Sequence, residues 1–214
     1  MASIRLLALL LAATATMPAA AGAASRDVGG LAGQLKRAAQ FCKGEYALCI
    51  KAPCTPMASR GKGGAGVESA LCSCDVVDGW SMGPASCDAR MPGHDGSFTT
   101  LMSTYSNLFN ATNRTLSCTS TDTLWATCYG APCVVDAKDP KKANCTCPLK
   151  QSAANTLGGD CQQSACSSIW SAATPQADAG ANEIFAAYMK KNNPTVPSLP
   201  PAAACPATSA PAAR

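Results

Sequence analysis

The chain has 214 residues and a formal net charge of +4, and 47% of its residues are hydrophobic, but 42 of these are alanine and 14 are cysteine. Only 45 residues are Leu, Ile, Val, Met, Phe, Trp or Tyr, which is too few for a large apolar-cored enzyme of the doubly wound or barrel type. The charge is small and scattered, so neither nucleic acid nor an anionic membrane surface is an expected partner.

Residues 1–23 have the pattern of a secretory signal peptide. Arg5 precedes a short apolar run at 6–11, and small residues follow at 21–23. The apolar run is about half the length that a membrane-spanning helix needs. We therefore expect cleavage near Ala23 and a secreted or periplasmic protein without a membrane anchor.

A short helix is predicted directly after this segment. Leu31, Leu35, Ala38 and Ala39 recur at helical spacing after Asp27. With the first group of cysteines, this helix forms the first predicted unit, residues 24–95.

Twelve of the cysteines form two similar groups of six. In both groups four residues separate the second and third cysteines, and one residue separates the fourth and fifth. An aromatic-Ala-x-Cys-x-x-Ala-Pro-Cys string occurs in both, ending at Cys54 and at Cys133. The repetition predicts an internal duplication of a six-cysteine module. Module one contains Cys42, Cys49, Cys54, Cys72, Cys74 and Cys87, and module two contains Cys118, Cys128, Cys133, Cys145, Cys147 and Cys161.

An even number of cysteines in an exported chain indicates disulfide bonds. Residues two apart on a strand point to the same face, so Cys72 and Cys74 should reach one partner segment, and Cys145 and Cys147 another. We expect each cysteine to pair with another of the same module, but six cysteines allow 15 pairings, and the sequence does not choose among them. Cys166 and Cys205 lie outside both modules, and we expect them to form a disulfide with each other.

Each module is predicted to form a β-hairpin between its third and fourth cysteines. In module two, Asp139-Pro140 lies between two short extended runs and indicates a turn. Module one has a longer, glycine-rich loop at 60–66 in the same place. The expected fold class is therefore a small disulfide-rich protein of short β-hairpins with a few packed α-helices.

Two further helices are predicted outside the cysteine modules. Phe98, Leu101, Met102, Tyr105, Leu108 and Phe109 have helical spacing, which places a helix before module two in a unit of residues 96–170. A second stripe from Ala181 to Met189 ends with two lysines and Pro194, which predicts a C-terminal helix within 171–193. The Pro- and Ala-rich tail, 194–214, should be extended or disordered apart from any tether at Cys205. We expect helices and disulfides to share one core.

No catalytic constellation is evident. His94 is the single histidine and lies in a turn-like segment, so neither a multi-histidine metal site nor a Ser-His-Asp triad is supported. Cys-x-x-Cys knuckles are absent, which argues against a zinc site. We expect a non-enzymatic protein without a cofactor or metal.

The expected role is therefore that of a binding or structural module for a protein or surface ligand. The hairpin loops at 55–69 and 134–144 differ between the modules and are candidate contact surfaces. A protease-inhibitor-like protein is the alternative, with Lys51, Arg60 and Lys62 as contact residues. A thiol-disulfide exchanger or metal-binding protein is a third possibility.

Overall fold

The computed structural model describes residues 39–58, 68–109 and 112–206. This part of the chain contains eleven strands, one α-helix (α1) and two 3-10 turns. The strands are β1 (Gln40–Leu48), β2 (Cys54–Met57), β3 (Ser69–Gly83), β4 (Gly93–Asp95), β5 (Phe98–Met102), β6 (Arg114–Cys118), β7 (Leu124–Ala126), β8 (Pro132–Val135), β9 (Lys142–Gln151), β10 (Ala154–Thr156) and β11 (Ala203–Ala204), the helix is Pro175–Asn192, and the 3-10 turns are Asp88–Arg90 and Gln163–Ser167.

Two long strands, β3 and β9, form the middle of an eight-stranded sheet. They run antiparallel, with Cys72 opposite Cys145 at the centre of the pairing. β2 pairs with β3 on its outer side, and β8 pairs with β9 in the same way. The sheet continues from β3 to β1 and from β8 to β5 and β4, while β7 extends the pairing of β9. A smaller sheet has the order β10-β6-β11.

Buried and exposed residues alternate along these two strands. Along β3, Ala70, Cys72 and Cys74 are buried, and the residues between them are exposed. β9 has the same alternation at its alanine and two cysteines. Because successive side chains on a strand point to opposite faces, both strands direct their cysteines into one core.

Seven disulfide bonds fill this core and its edges, and every cysteine is paired. The pairs are Cys42–Cys87, Cys49–Cys74, Cys54–Cys72, Cys118–Cys166, Cys128–Cys147, Cys133–Cys145 and Cys161–Cys205. Cys72 and Cys74 bond to the segment 49–54, and Cys145 and Cys147 bond to 128–133, which confirms the expectation from their two-residue spacing.

Two expectations about the cysteines are wrong: the pairing of Cys166 with Cys205, and the closure of module two by disulfides within the module. Cys166 bonds to Cys118, and the cysteine that holds the tail through Cys205 is Cys161. The predicted six-cysteine unit is therefore closed within itself in the first half of the chain only. The reason is tertiary packing: β6 contacts the 3-10 turn that contains Cys166 and pairs with β11, which directly precedes Cys205, so position in space and not order in the sequence decides which sulfurs bond.

The predicted helix over 98–109 is also wrong. Residues 98–102 form β5, which pairs with β8 through Leu101 and Cys133, and an irregular segment follows. Phe98 is 55% exposed and Phe109 is 41% exposed, whereas Ser106 and Asn107 are fully buried. Ser, Thr and Asn are weak helix formers, so the strand pairing overrides the apolar spacing.

The C-terminal helix is confirmed as α1, Pro175–Asn192. Thr174 caps it, because its hydroxyl oxygen accepts a hydrogen bond from the Ala177 amide at 3.2 Å, and Pro175 occupies the first position. Two lysines lie in the last turn, where they oppose the negative end of the helix dipole. The structure thus has one α-helix in its described part where a few were expected.

The core is divided into two clusters. The sulfurs and alanines of β3 and β9 form one cluster, which both halves of the chain share. The second consists of Met82, Phe185 and Met189 with partly buried aromatic residues around them, such as Phe41 and Trp80. The apolar side chains of α1 therefore pack against the ends of β1 and β3 in a cluster of their own, in contrast to the expected single core.

Several predicted features lie outside the described residues. These are the signal peptide at 1–23, the short helix before Ala39, the insertion at 60–66 and the end of the tail beyond 206. Within the described part, no helix is both long enough and apolar enough to cross a membrane.

Candidate functional site

The disulfide core holds sulfur atoms in close groups, but all of them are already bonded. The sulfur atoms form two sets of three, and within each set they lie within 4.8 Å of one another. The sets are Cys49/Cys74/Cys145 and Cys72/Cys128/Cys147. A metal ligand or an exchanging nucleophile needs a thiolate. In this fully paired state these sulfurs serve to hold the scaffold.

The strands of the two hairpins lead into their loops at opposite ends of the central strands. The loop of the first hairpin returns at Ser69, which faces Pro148, and the loop of the second returns at Lys142, which faces Asp75. Lys142 and Pro148 are six residue steps apart on β9, or about 20 Å at the rise of a β-strand. The described residues of the two segments, 55–58 and 68–69 in the first and 134–144 in the second, therefore lie at different ends of the sheet.

The turn of the second hairpin is held by its own side chains. Asp136 Oδ1 accepts hydrogen bonds from the backbone amides of Lys138 at 2.8 Å and Asp139 at 3.3 Å. These bonds are the main reason why the pKa of Asp136 is lowered. The lowered pKa thus reflects a structural role in the turn.

The residues considered for inhibition or catalysis are not brought together. Lys51 is exposed in the turn between β1 and β2, while Arg60 and Lys62 lie outside the described residues. His94 is exposed on β4, opposite Thr99.

A cavity of about 360 Å³ lies where the disulfide core meets the first two turns of α1. This volume is in the range of small-molecule sites. Most of its wall is apolar, and Ile50, Trp125 and Leu157 are among the residues that line it. Cys49 and Cys128 also line it, so two disulfides anchor its walls.

One ionisable carboxyl group lines this mostly apolar space. Asp178, in the first turn of α1, accepts hydrogen bonds from Asn155 Nδ2 and Asn182 Nδ2, both at 3.3 Å. Ser117 holds Asn155 in place by donating to its Oδ1 at 2.9 Å. Burial raises the pKa of Asp178, and the hydrogen bond from Asn155 opposes this rise.

The carboxylate of Asp178 has no cationic partner among the described residues. The ion pair found in the described part of the chain is elsewhere: it joins Lys142 Nζ, at the start of β9, to Asp75 Oδ1 at 2.6 Å. Two amide donors and the positive end of the α1 dipole are what stabilise the charge of Asp178. This charge is therefore available to a ligand.

Tyr105 adds a second polar group to the cavity wall. Its ring packs edge-on against Phe185, with 5.9 Å between the ring centroids. Its hydroxyl oxygen is buried and has no hydrogen-bond partner within the described chain. Burial raises the pKa of Tyr105, and the negative charge of Asp178 raises it further. The hydroxyl therefore stays neutral.

A second cavity of about 220 Å³ adjoins the first. Asp178, Asn155 and Thr115 line both, and Pro201, Ala202 and Ala204 of the tail line the second alone. The Cys161–Cys205 disulfide and the pairing of β11 with β6 fix this wall. Asp178 therefore lies at the boundary between the two spaces.

Sequence reasoning did not select Asp178, Asn155 or Tyr105. Tyr105 lies in the segment whose spacing predicts a helix that does not form. Asn155 lies in β10, before the pattern that predicts the C-terminal helix. Asp178 carried a weak signal, because an acid in the first turn of a predicted helix with an amide four residues later indicates a local polar cluster.

Comparisons of the chain with family models, with curated proteins and with solved structures give no match.

Proposed function

We propose that the protein is an exported binding module that holds a small, mostly apolar ligand in the cavity between α1 and the disulfide core. The observation that carries this proposal is the cavity of about 360 Å³, with an apolar wall and a few convergent polar groups. Sites that bind small molecules commonly have this combination. The seven disulfides support export, because such bonds form and persist in oxidising compartments.

The covalent framework suits the cavity to binding. Cys49 and Cys128 are tied to β3 and β9, so the walls that they support are held in place before a ligand arrives. A preformed site loses less conformational entropy on binding than a mobile one.

A cavity-filling substitution tests this function. Ala177 lines the cavity, whereas Ala179 is exposed on the same helix. Ala177→Phe should abolish saturable binding of small indole compounds, measured by isothermal titration calorimetry, while Ala179→Phe should leave it unchanged. Both changes have the same cost in helix propensity, so a difference reports on the cavity. Equal binding by both variants would contradict the proposal.

We also propose that the chain contains two copies of one unit with nested disulfides, in which Cys166 is the sixth cysteine of the second copy. The pairs Cys42–Cys87 and Cys118–Cys166 enclose the inner pairs of each half. The three corresponding pairs have Cα–Cα distances of 5.5 and 5.6 Å, 4.6 and 4.8 Å, and 4.1 and 4.0 Å.

The strand pairing supports this duplication independently. Ala70 faces Cys147 and Ala143 faces Cys74, as expected if an approximate twofold axis relates the copies. Proteolytic disulfide mapping tests the assignment, since a peptide that links Cys118 to Cys161 would contradict it.

A protease-inhibitor-like role remains the second candidate. Lys51 is exposed in a turn where the Ala52 amide donates to the Cys49 carbonyl at 3.1 Å, and Cys49 and Cys54 are both disulfide-bonded. A basic residue on such a stapled turn suits the specificity site of a trypsin-like enzyme. Purified protein should then inhibit trypsin, Lys51→Ala should remove the inhibition, and Lys43→Ala, which changes an exposed lysine of β1, should not. Full trypsin activity in excess protein would exclude this role.

A further inference from the structure

We propose that the ligand of this cavity is an organic cation, an amine with an apolar body, whose ammonium group binds the Asp178 carboxylate. The inference rests on the proposed function, because it specifies the class of ligand that the same cavity holds. Three features of the cavity support it: the unpaired carboxylate, the lack of positive charge in the walls, and the aromatic side chains beside it.

The carboxylate of Asp178 retains capacity to accept hydrogen bonds. Each carboxylate oxygen has about two acceptor positions, and the two amides occupy one on each oxygen. An ammonium group brings up to three N–H donors and a full positive charge. It can therefore bind without displacing Asn155 or Asn182.

The walls carry no cationic side chain among the described residues: the residues that line the two cavities include no Lys, Arg or His. Tyr105, Tyr129 and Asp178 are the titratable side chains among them, and burial is the main cause that raises the pKa of both tyrosines. A carboxylate that is half removed from water, without a cation, is stabilised most by a ligand of opposite charge.

Aromatic residues suit the remainder of such a ligand. Trp125, Tyr105 and Tyr129 all line the larger cavity. Their rings provide apolar contact, and their negative faces attract a cation.

The pH dependence of binding should have a defined sign. Burial raises the pKa of Asp178, and a bound ammonium group favours the charged carboxylate, so binding should strengthen as the pH rises through that pKa. It should weaken again when the amine loses its proton, at about pH 10. The tyrosines stay neutral through this range, because their pKa values are raised above the usual value.

Three indole compounds of nearly equal size test the inference on the full chain. Tryptamine is a cation, tryptophol is neutral and indole-3-acetate is an anion. We expect isothermal titration calorimetry at pH 7 to show that tryptamine binds at least about tenfold more tightly than tryptophol, and that indole-3-acetate does not bind. The three titrations use the unaltered protein and so do not depend on the folding of a variant.

Two charge-removing substitutions on α1 complete the test. Asp178→Asn should weaken tryptamine binding by about 10- to 100-fold and change tryptophol binding by less than about twofold. Glu183→Gln removes an exposed charge from the same helix and should change neither.

The outcomes distinguish failure of the cation inference from failure of the proposed function. If tryptamine and tryptophol bind equally, or if Asp178→Asn leaves tryptamine binding unchanged, the cation inference is overturned while the cavity remains a binding site. If none of the three compounds binds, both the inference and the proposed function fail.

Discussion

The disulfide between Cys161 and Cys205 attaches the tail to the rest of the protein, and we expect its removal to cost little stability. The bond closes a loop with a sequence separation of 44 residues, for which the loss of chain entropy in the unfolded state corresponds to about 4 kcal/mol. Part of this stabilisation is offset, because the bond also removes chain entropy from the tail of the folded protein. In the absence of the bond, the nine residues from Val196, which packs against the second core cluster, to Cys205 would be tethered at one end only.

Closing this shorter stretch in the folded state costs about 3 kcal/mol in the same model. Few contacts of the tail offset that cost, since β11 has only two residues, both exposed, and Cys205 donates one backbone hydrogen bond to Thr115 at 2.8 Å. The double substitution Cys161→Ala/Cys205→Ala should therefore lower the free energy of unfolding by about 1 kcal/mol, with the tail released and α1 retained.

The Cys118–Cys166 bond provides a matched control. Its sequence separation is 48, close to that of the first bond, but Cys118 is buried in β6, and the residues that follow Cys166 pair with β2 and β7. Both ends stay fixed in the folded state without the bond, so Cys118→Ala/Cys166→Ala should cost about 4 kcal/mol.

Guanidinium unfolding measures both changes, and hydrogen exchange at residues 203–205 reports on release of the tail. Equal losses in the two double variants, or protected amides at 203–205 without the bond, would refute the view that the disulfide is the main attachment of the tail.

Three further changes test packing, backbone conformation and the hairpin turn. Leu116→Ala should cost about 2–5 kcal/mol in guanidinium unfolding, because the side chain is fully buried, whereas Leu124→Ala, at a residue 37% exposed, should cost far less. Gly130→Ala should destabilise more than Gly96→Ala: both glycines have positive φ, but a Cβ at Gly130 would lie 2.8 Å from a proline ring, and one at Gly96 meets nothing. The lowered pKa of Asp136 means that its carboxylate stabilises the turn above its unfolded pKa and loses this effect as the pH falls through the folded value. Amides of the turn should therefore exchange faster, relative to the intrinsic rate, at acid pH, and a pH-independent protection factor would contradict this.

The comparison of two helical patterns shows where sequence reasoning succeeds. The stripe from Ala181 to Met189 was accompanied by a basic last turn and a following proline, and the helix forms there. The stripe from Phe98 to Phe109 had apolar spacing alone, on residues that favour helix weakly. Pairing of Leu101 with Cys133 in the neighbouring strand decided its conformation, and this partner lies 32 residues away along the chain.

The candidate cavity could not be predicted from the sequence for the same reason: it depends on contacts between distant parts of the chain. Asp178, Asn155 and Tyr105 come from separate parts of the chain, and each is unremarkable in its local context. Their proximity depends on how α1 packs against β1 and β3, which no periodicity encodes.

The sequence by itself determined the covalent character of this protein: little apolar volume, many cysteines, alternating strands that direct Cys72 and Cys74 to one partner segment, and a hairpin in each half. These features follow from local geometry, because a strand repeats every two residues wherever it lies. The tertiary structure decided that Cys118 meets Cys166 and that Cys161 meets Cys205. A disulfide requires two sulfurs at about 2 Å, and only the packed arrangement of β6, β11 and the 3-10 turn that contains Cys166 brings these particular pairs to that distance.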